Sequence, residues 1–237
     1  MTDKILGIIG GMGPEATADF MNRIIKITPA VDDQDHIRMI VDNHPQIPSR
    51  IKALLEETGE DPTNCLVQIA RNLENWGANL IAVPCNTAHY YYEAIQNSVT
   101  IPVFNMLALV AGLMKKNHPN LKKVGFLGST AVVKTRLYEK KMGQHSISMV
   151  YPKTEQQDQV MATIRQIKTG QYTDAELQPI ADTATELIRS GAEVLIVGCT
   201  ELSAACHILP NSIRYYDASQ VLAEAVVKEI KGNIIKC

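Results

Sequence analysis

Eight short apolar runs punctuate the chain, and few of them alternate between apolar and polar positions. They are KILGII (4–9), IRMIVD (37–42), NLIAVP (79–84), IPVFN (101–105), KVGFLG (123–128), ISMVY (147–151), EVLIVG (193–198) and IRYYD (213–217). Rich in Val and Ile and bounded by Gly, Pro or Asn, they read as strands buried on both faces, since a strand covered on one face would alternate with period two. Helical patterns lie between them. Pro14 suits a first helical turn after Gly13, and Phe20, Ile24 and Ile27 recur at helical spacing. Residues 63–76 and 174–190 form two more amphipathic stretches, stopped at Gly77 and Gly191. Strands alternating with helices predict an α/β fold with parallel sheets.

The pattern also repeats. GANLIAVPCNT (77–87) aligns with GAEVLIVGCTE (191–201), which places Cys85 on Cys199, 114 residues on. IPVFN matches IRYYD at an offset of 112, and GIIG (7–10) matches GFLG (125–128) at 118. Three matched landmarks in one order predict two pseudo-symmetric halves, residues 1–105 with 218–237 and residues 106–217. Each half would hold a short parallel sheet flanked by helices. The functional crevice of an open parallel sheet lies beyond the carboxyl ends of its strands, where both cysteines fall. The expectation is a site in the cleft between the halves, approached by the two thiols from opposite sides.

Two opposed thiols can invert a carbon acid. One removes a proton from one face and the other returns a proton to the opposite face, in roles that exchange with the hand of the substrate. Asn86, Thr87 and Thr200 supply amide and hydroxyl groups beside the sulfurs, and backbone amides at such turns suit a carboxylate.

Composition narrows the field. The chain has 237 residues, 46% of them hydrophobic, which is too apolar for a disordered protein. A net charge of −2 lacks the footprint of a nucleic-acid binder. The start, MTDKILGIIGG, has no basic n-region or cleavage-like site, and no run approaches the roughly 18 apolar residues of a membrane span. A soluble cytoplasmic protein is expected. The five cysteines are odd in number and widely spaced without C-x-x-C, and the six histidines never form H-x-x-x-H, so neither a disulfide framework nor a metal site is expected. Cys65, Cys206 and Cys237 read as carrying no chemistry, with Cys206 on the helix after the second cysteine turn. His89 reads as structural and stays outside the site.

The motifs GIIGGMGPEAT (7–17), NHPQIPSR (43–50), VPCNT (83–87), IKTG (167–170) and VGCTE (197–201) together resemble the aspartate/glutamate racemase family, closest to its aspartate branch. The likeness spans nearly the whole chain in the right order. It implies a cofactor-independent, two-cysteine racemase with two flavodoxin-like halves, usually a homodimer, acting on a small amino-acid substrate. It places Cys85 and Cys199 at the acid/base positions, and Met12, Cys85, Asn86 and Thr87 where substrate is held. Arg50 and Lys168 match the basic residues that grip the side-chain carboxylate of aspartate, a task that suits a bidentate guanidinium. Outside the motifs, Arg50 would read as a loop arginine and Lys168 as a cation in a last helical turn. Some relatives of broader specificity replace the first cysteine by threonine, and glutamate racemases carry an Asp-Ser-Gly turn. This chain keeps Cys85 and has Gly10-Gly11-Met12-Gly13, which points to aspartate without excluding glutamate or a broader range.

Rival readings remain open at this level. Gly11-Met12-Gly13-Pro14-Glu15-Ala16 satisfies the loose dinucleotide pattern G-x-G-x-x-A, with Asp32 about 20 residues on. Asp32, however, lies before the next strand rather than at its end, and a nucleotide-binding module gives no reason for the repeated cysteine. A non-catalytic amino-acid-binding protein would bind without exchange at Cα. Maleate isomerase and hydantoin racemase share the architecture and the cysteine pair.

Overall fold

The computed structural model describes residues 4–56 and 59–232; Cys237 lies outside them. The chain forms two compact units, Met1–Leu109 with Gln220–Cys237, and Val110–Ser219.

The first unit begins with β1 (Leu6–Gly10), α1 (Pro14–Ile27), β2 (Met39–Asn43), α2 (Arg50–Leu55), α3 (Thr63–Asn75), β3 (Leu80–Ala82) and α4 (Tyr92–Asn97); the chain leaves it within α5 (Met106–Asn117). The described strands are all parallel in the order β2-β1-β3. Every residue of β1 is buried, as its unbroken apolar run requires. Helix α3 buries Leu66, Ile69, Ala70 and Leu73, the i, i+3, i+4, i+7 stripe of a helix packed on one side. Each large apolar side chain so buried contributes about 1.5–3 kcal/mol of transfer free energy. IPVFN departs from the strand expected of it. Val103 makes a single parallel bridge to Ile81, with Pro102 O accepting from Ile81 N at 2.9 Å and Phe104 N donating to Ile81 O at 2.8 Å. The reason is the shortness of β3, which ends two residues before Pro84 and offers no further ladder partners.

The second unit holds β4 (Lys123–Gly128), α6 (Thr130–Lys134), α7 (Glu139–Gly143), β5 (Ser148–Val150), α8 (Thr154–Ile167), α9 (Asp174–Arg189), β6 (Val194–Gly198), α10 (Thr200–Ala204) and β7 (Tyr215–Asp217), and the chain leaves it within α11 (Ala218–Lys231). Its strands are parallel in the order β5-β4-β6-β7. With Val103 standing where a fourth strand would be, the first unit follows the same order, the one known from flavodoxin-like folds.

The sequence repeat is a repeat of hydrogen bonds. Helix α3 ends with Gly77 at φ 98°, its N–H bonded to Glu74 O at 3.0 Å, and Ala78 N bonded to Leu73 O at 3.0 Å. Helix α9 ends with Gly191 at φ 95°, Gly191 N on Ile188 O at 3.0 Å and Ala192 N on Leu187 O at 3.1 Å. Both are Schellman caps, which place a glycine in the left-handed region. The residue that follows then ties each unit's central strand. Asn79 Oδ1 accepts from Ile5 N at 2.8 Å, and Glu193 Oε1 accepts from Lys122 N at 2.9 Å and Lys123 N at 3.0 Å. The same cap therefore launches both strands that lead to a cysteine.

Candidate active site

Register places the cysteines. Ile8 pairs with Ala82, so Gly10 lies level with Pro84, and the turn 11–13 and Cys85 leave neighbouring strands side by side. In the second unit Gly128 pairs with Gly198, so Ser129 and Cys199 do the same. In each unit this is the switch point, where successive connections run to opposite sides of the central strand and open a crevice at the strand ends. A cavity of about 290 Å³ in the second unit, lined by His118, Glu193 and Arg214 among others, lies at the amino ends of the strands and is remote from this chemistry.

In the first unit Cys85 is 8% exposed and packs in one apolar cluster with Ile47, Tyr91 and Met12, itself 5% exposed. Asn86 and Thr87 are buried beside it. Arg50 opens α2, whose N-cap is Ser49. Its Nη1 donates to Ile47 O at 3.2 Å and Pro48 O at 3.1 Å, while Nε is buried with no hydrogen-bond partner. A buried guanidinium donor left unsatisfied is costly unless an acceptor arrives. His89, left outside the site on sequence grounds, is buried with Nδ1 2.9 Å from Cys85 O.

In the second unit Cys199 is the N-cap of α10, and Thr200 follows it, buried, in the first turn. The Cys199 thiol donates to Glu201 Oε2 at 2.9 Å. Glu201 Oε1 lies 3.3 Å from Lys168 Nζ, the carboxylate only 11% exposed and the lysine side chain 45%. Lys168 is the C-cap of α8, so the helix-end reading is fulfilled locally while its ammonium joins a chain Cys199–Glu201–Lys168. Burial first, and then the Glu201 carboxylate, hold the Cys199 thiol well above the ordinary thiol range, with Lys168 opposing them. The hydrogen bond from Cys199 Sγ to the Glu201 carboxylate likewise favours the protonated thiol. Glu201 joins the site although its motif does not mark it as a site residue. The signal was present, since a carboxylate two residues into a helix capped by cysteine can fold back on the cap, but nothing in VGCTE reveals where the side chain points.

Glu201→Gln removes the negative charge and so lowers the Cys199 pKa, raising its alkylation by iodoacetamide near neutral pH several-fold; thiolate fraction grows about tenfold when the pKa falls by one. Peptide mass mapping over a pH series reads this residue by residue. An unchanged Cys199 rate would show that the carboxylate does not govern the thiol.

Cys65 lies in α3, partly buried against the first unit's core, with its thiol pushed up by burial. Cys206 is not on a helix continuing from the second cysteine turn. Helix α10 ends at Ala204, and Cys206 opens a 3-10 turn, its Sγ 3.5 Å from Leu202 O. Among the described residues no three His, Cys, Asp or Glu side chains are grouped to hold a metal ion, and no helix is long and apolar enough to cross a membrane.

The family profile for Asp/Glu/hydantoin racemases matches residues 9–226. The chain belongs to the Asp/Glu/hydantoin racemase family. Aspartate racemase of Picrophilus torridus superposes with a TM-score of 0.85 at 33% identity, covering 98% of this chain and 96% of that one. The broad-specificity amino-acid racemase RacX of Bacillus subtilis (strain 168) is 30% identical over 229 residues, 94% of this chain and 96% of the relative. A glutamate racemase of Limosilactobacillus reuteri is 25% identical over 146 residues, 61% of this chain and 52% of the relative. The two parallel sheets flanked by helices are thus those of a racemase fold, and the chain is a member of a family of isomerases acting on amino acids. Its relatives bear names of different substrate range, so membership leaves the substrate open.

Proposed function

We propose that this protein interconverts L- and D-aspartate by a two-thiol mechanism, as a cytoplasmic homodimer and without pyridoxal phosphate or metal. The observation that carries the reading is the placement of Cys85 and Cys199 at the same switch-point turn of two units with one topology, with one of the pair held as a thiol. A thiolate at Cys85 takes the Cα proton, which becomes the Cys85 thiol proton. The Cys199 thiol then gives its proton to the opposite face of the carbanion and is left as thiolate. For the other enantiomer the roles reverse, and Glu201 is the acceptor placed to take the proton from Cys199 when it must serve as base.

Asn86, Thr87 and Thr200 hold the amino-acid end of the substrate, with Met12 closing the apolar side. Arg50 takes the distal carboxylate, which supplies the acceptor that its Nε lacks. Lys168 assists from its half-exposed position. One observation favours a broader second reading: Lys168 is engaged with Glu201, which leaves Arg50 as the principal cation for the side chain.

The test is incubation of reduced, cofactor-free protein in D₂O with L-aspartate, L-glutamate or L-alanine, following chirality and Cα deuterium. D-aspartate formed with solvent deuterium at Cα is expected. Comparable rates with alanine would replace aspartate specificity by the broader reading. Absence of inversion and of exchange with all three would overturn the racemase reading.

A further inference from the structure

Cys85 and Cys199 occupy equivalent turns, but their carbonyls are satisfied differently. After Cys199 the chain continues as an α-helix, and Ser203 N, four residues on, bonds to Cys199 O at 3.2 Å. After Cys85 the chain tightens into a 3-10 turn over Thr87–Tyr91. His89 N, the backbone donor four residues on, goes to Asn86 O at 3.1 Å and is lost to Cys85. The His89 side chain takes its place, with Nδ1 2.9 Å from Cys85 O.

The ring's other nitrogen fixes the tautomer. Met106 N, at the start of α5, lies 3.0 Å from His89 Nε2. A backbone N–H can only donate, so Nε2 presents its lone pair, the proton is on Nδ1, and the Cys85 carbonyl accepts it. Burial lowers the His89 pKa, against the Cys85 and Phe104 carbonyls, which favour protonation. The imidazole is 5% exposed and lies parallel to the Tyr92 ring, with centroids 6.4 Å apart.

From this arrangement we infer that His89 is a positioning residue for Cys85: its neutral ring stands in for the missing helical N–H and ties the cysteine turn to the first residue of α5. Strand β3 ends at Ala82, Pro84 has no N–H, and Cys85 N reaches back only to Val83 O at 2.8 Å. The inference rests on the two-thiol reading for its kinetic consequence and on the hydrogen bonds alone for the geometry.

Three substitutions separate the bonds. In His89→Asn the amide nitrogen falls near the place of Nδ1 and keeps the donor to Cys85 O. In His89→Gln the longer side chain can accept from Met106 N but does not reproduce that donor, and His89→Phe keeps the ring volume without either bond. The expected result is a fall in kcat of about 10–100-fold for Gln and Phe, the scale of a misplaced catalytic group, with KM little changed and with Asn recovering most of the loss. In parallel, iodoacetamide alkylation of Cys85, read by peptide mass, should rise several-fold in the Gln and Phe variants and stay near wild type in Asn. Cys65, Cys199 and Cys206 in the same samples should not change. Equal alkylation of Cys85 in all four proteins, or a rise shared by all four cysteines in step with a lower Tm, would overturn the inference. Because alkylation needs no substrate, a protein that fails to racemise amino acids still tests the brace. Cys85-selective alkylation in such a protein would uphold the brace while the racemase reading falls.

Discussion

In Cys199→Ser, and equally in Cys85→Ser, racemisation is expected to fall by about three orders of magnitude, within the range for loss of a general acid or base and equivalent to about 4 kcal/mol of transition-state stabilisation. A serine hydroxyl in place of either thiol is a far poorer proton donor and acceptor at neutral pH. The two enantiomers have equal free energy in water, so kcat/KM must be the same in both directions for any variant, and rates alone cannot separate the two roles. Isotope exchange can. With Cys85 intact and Cys199 replaced, the enantiomer that presents its Cα–H to Cys85 loses that proton and regains one from the same side. Deuterium then enters Cα faster than chirality changes. Cys85→Ser should show the mirror behaviour with the other enantiomer. Full racemisation in either variant would sink the two-thiol mechanism, and exchange with the same enantiomer in both would remove the opposed placement of the thiols.

The parts of the molecule visible in sequence are those set by short-range chemistry. Gly77 and Gly191 announce Schellman caps because an L-residue resists φ near 95°. The apolar runs of β1, β4 and β6 announce buried parallel strands because nothing polar interrupts them. Edge behaviour is less legible. IRYYD becomes β7, reduced to Tyr215–Asp217, whereas IPVFN contributes a single bridge; the difference lies in the length of the partner strand, which neither segment encodes. The site shows the same division. The cysteine positions follow from the repeat. Glu201 and His89 act through side-chain directions set by how the backbone coils after each cysteine, helix in one unit and 3-10 turn in the other, and VPCNTAH and VGCTEL do not distinguish these by pattern.

The dinucleotide-like glycine turn has a local explanation, and Gly11→Ala is the variant that tests it. Gly11 sits at φ 86°, and a Cβ built there would lie 2.2 Å from the carbonyl carbon, 2.3 Å from the oxygen and 2.5 Å from the nitrogen of His44. These are backbone atoms of the segment following β2 and cannot turn aside. The Gly11 N–H is already given to Thr17 Oγ1 at 2.9 Å, whose hydroxyl donates to Gly13 O at 3.0 Å. The first glycine is therefore required by packing whether or not a ligand binds. Asp32, the acid that a dinucleotide fingerprint would need, instead caps a 3-10 turn and accepts from Asp33 N at 2.7 Å. A left-handed alanine costs about 1–2 kcal/mol, and forcing a backbone clash in a packed region adds about 1–3 kcal/mol or more. Gly11→Ala should accordingly lose about 2–5 kcal/mol, a drop in Tm of roughly 4–20 °C for a chain of this size, and racemase activity should fall with the displaced turn beside Cys85. Gly77→Ala is the matched control. At φ 98° with nothing within 4 Å of its Cβ position, it carries the conformational penalty alone, about 1–2 kcal/mol, and should melt only a few degrees below wild type. Thermal unfolding of the two variants side by side decides the point: if they melt together, the His44 backbone is not what demands glycine in the turn, and the space before it is open to a ligand after all.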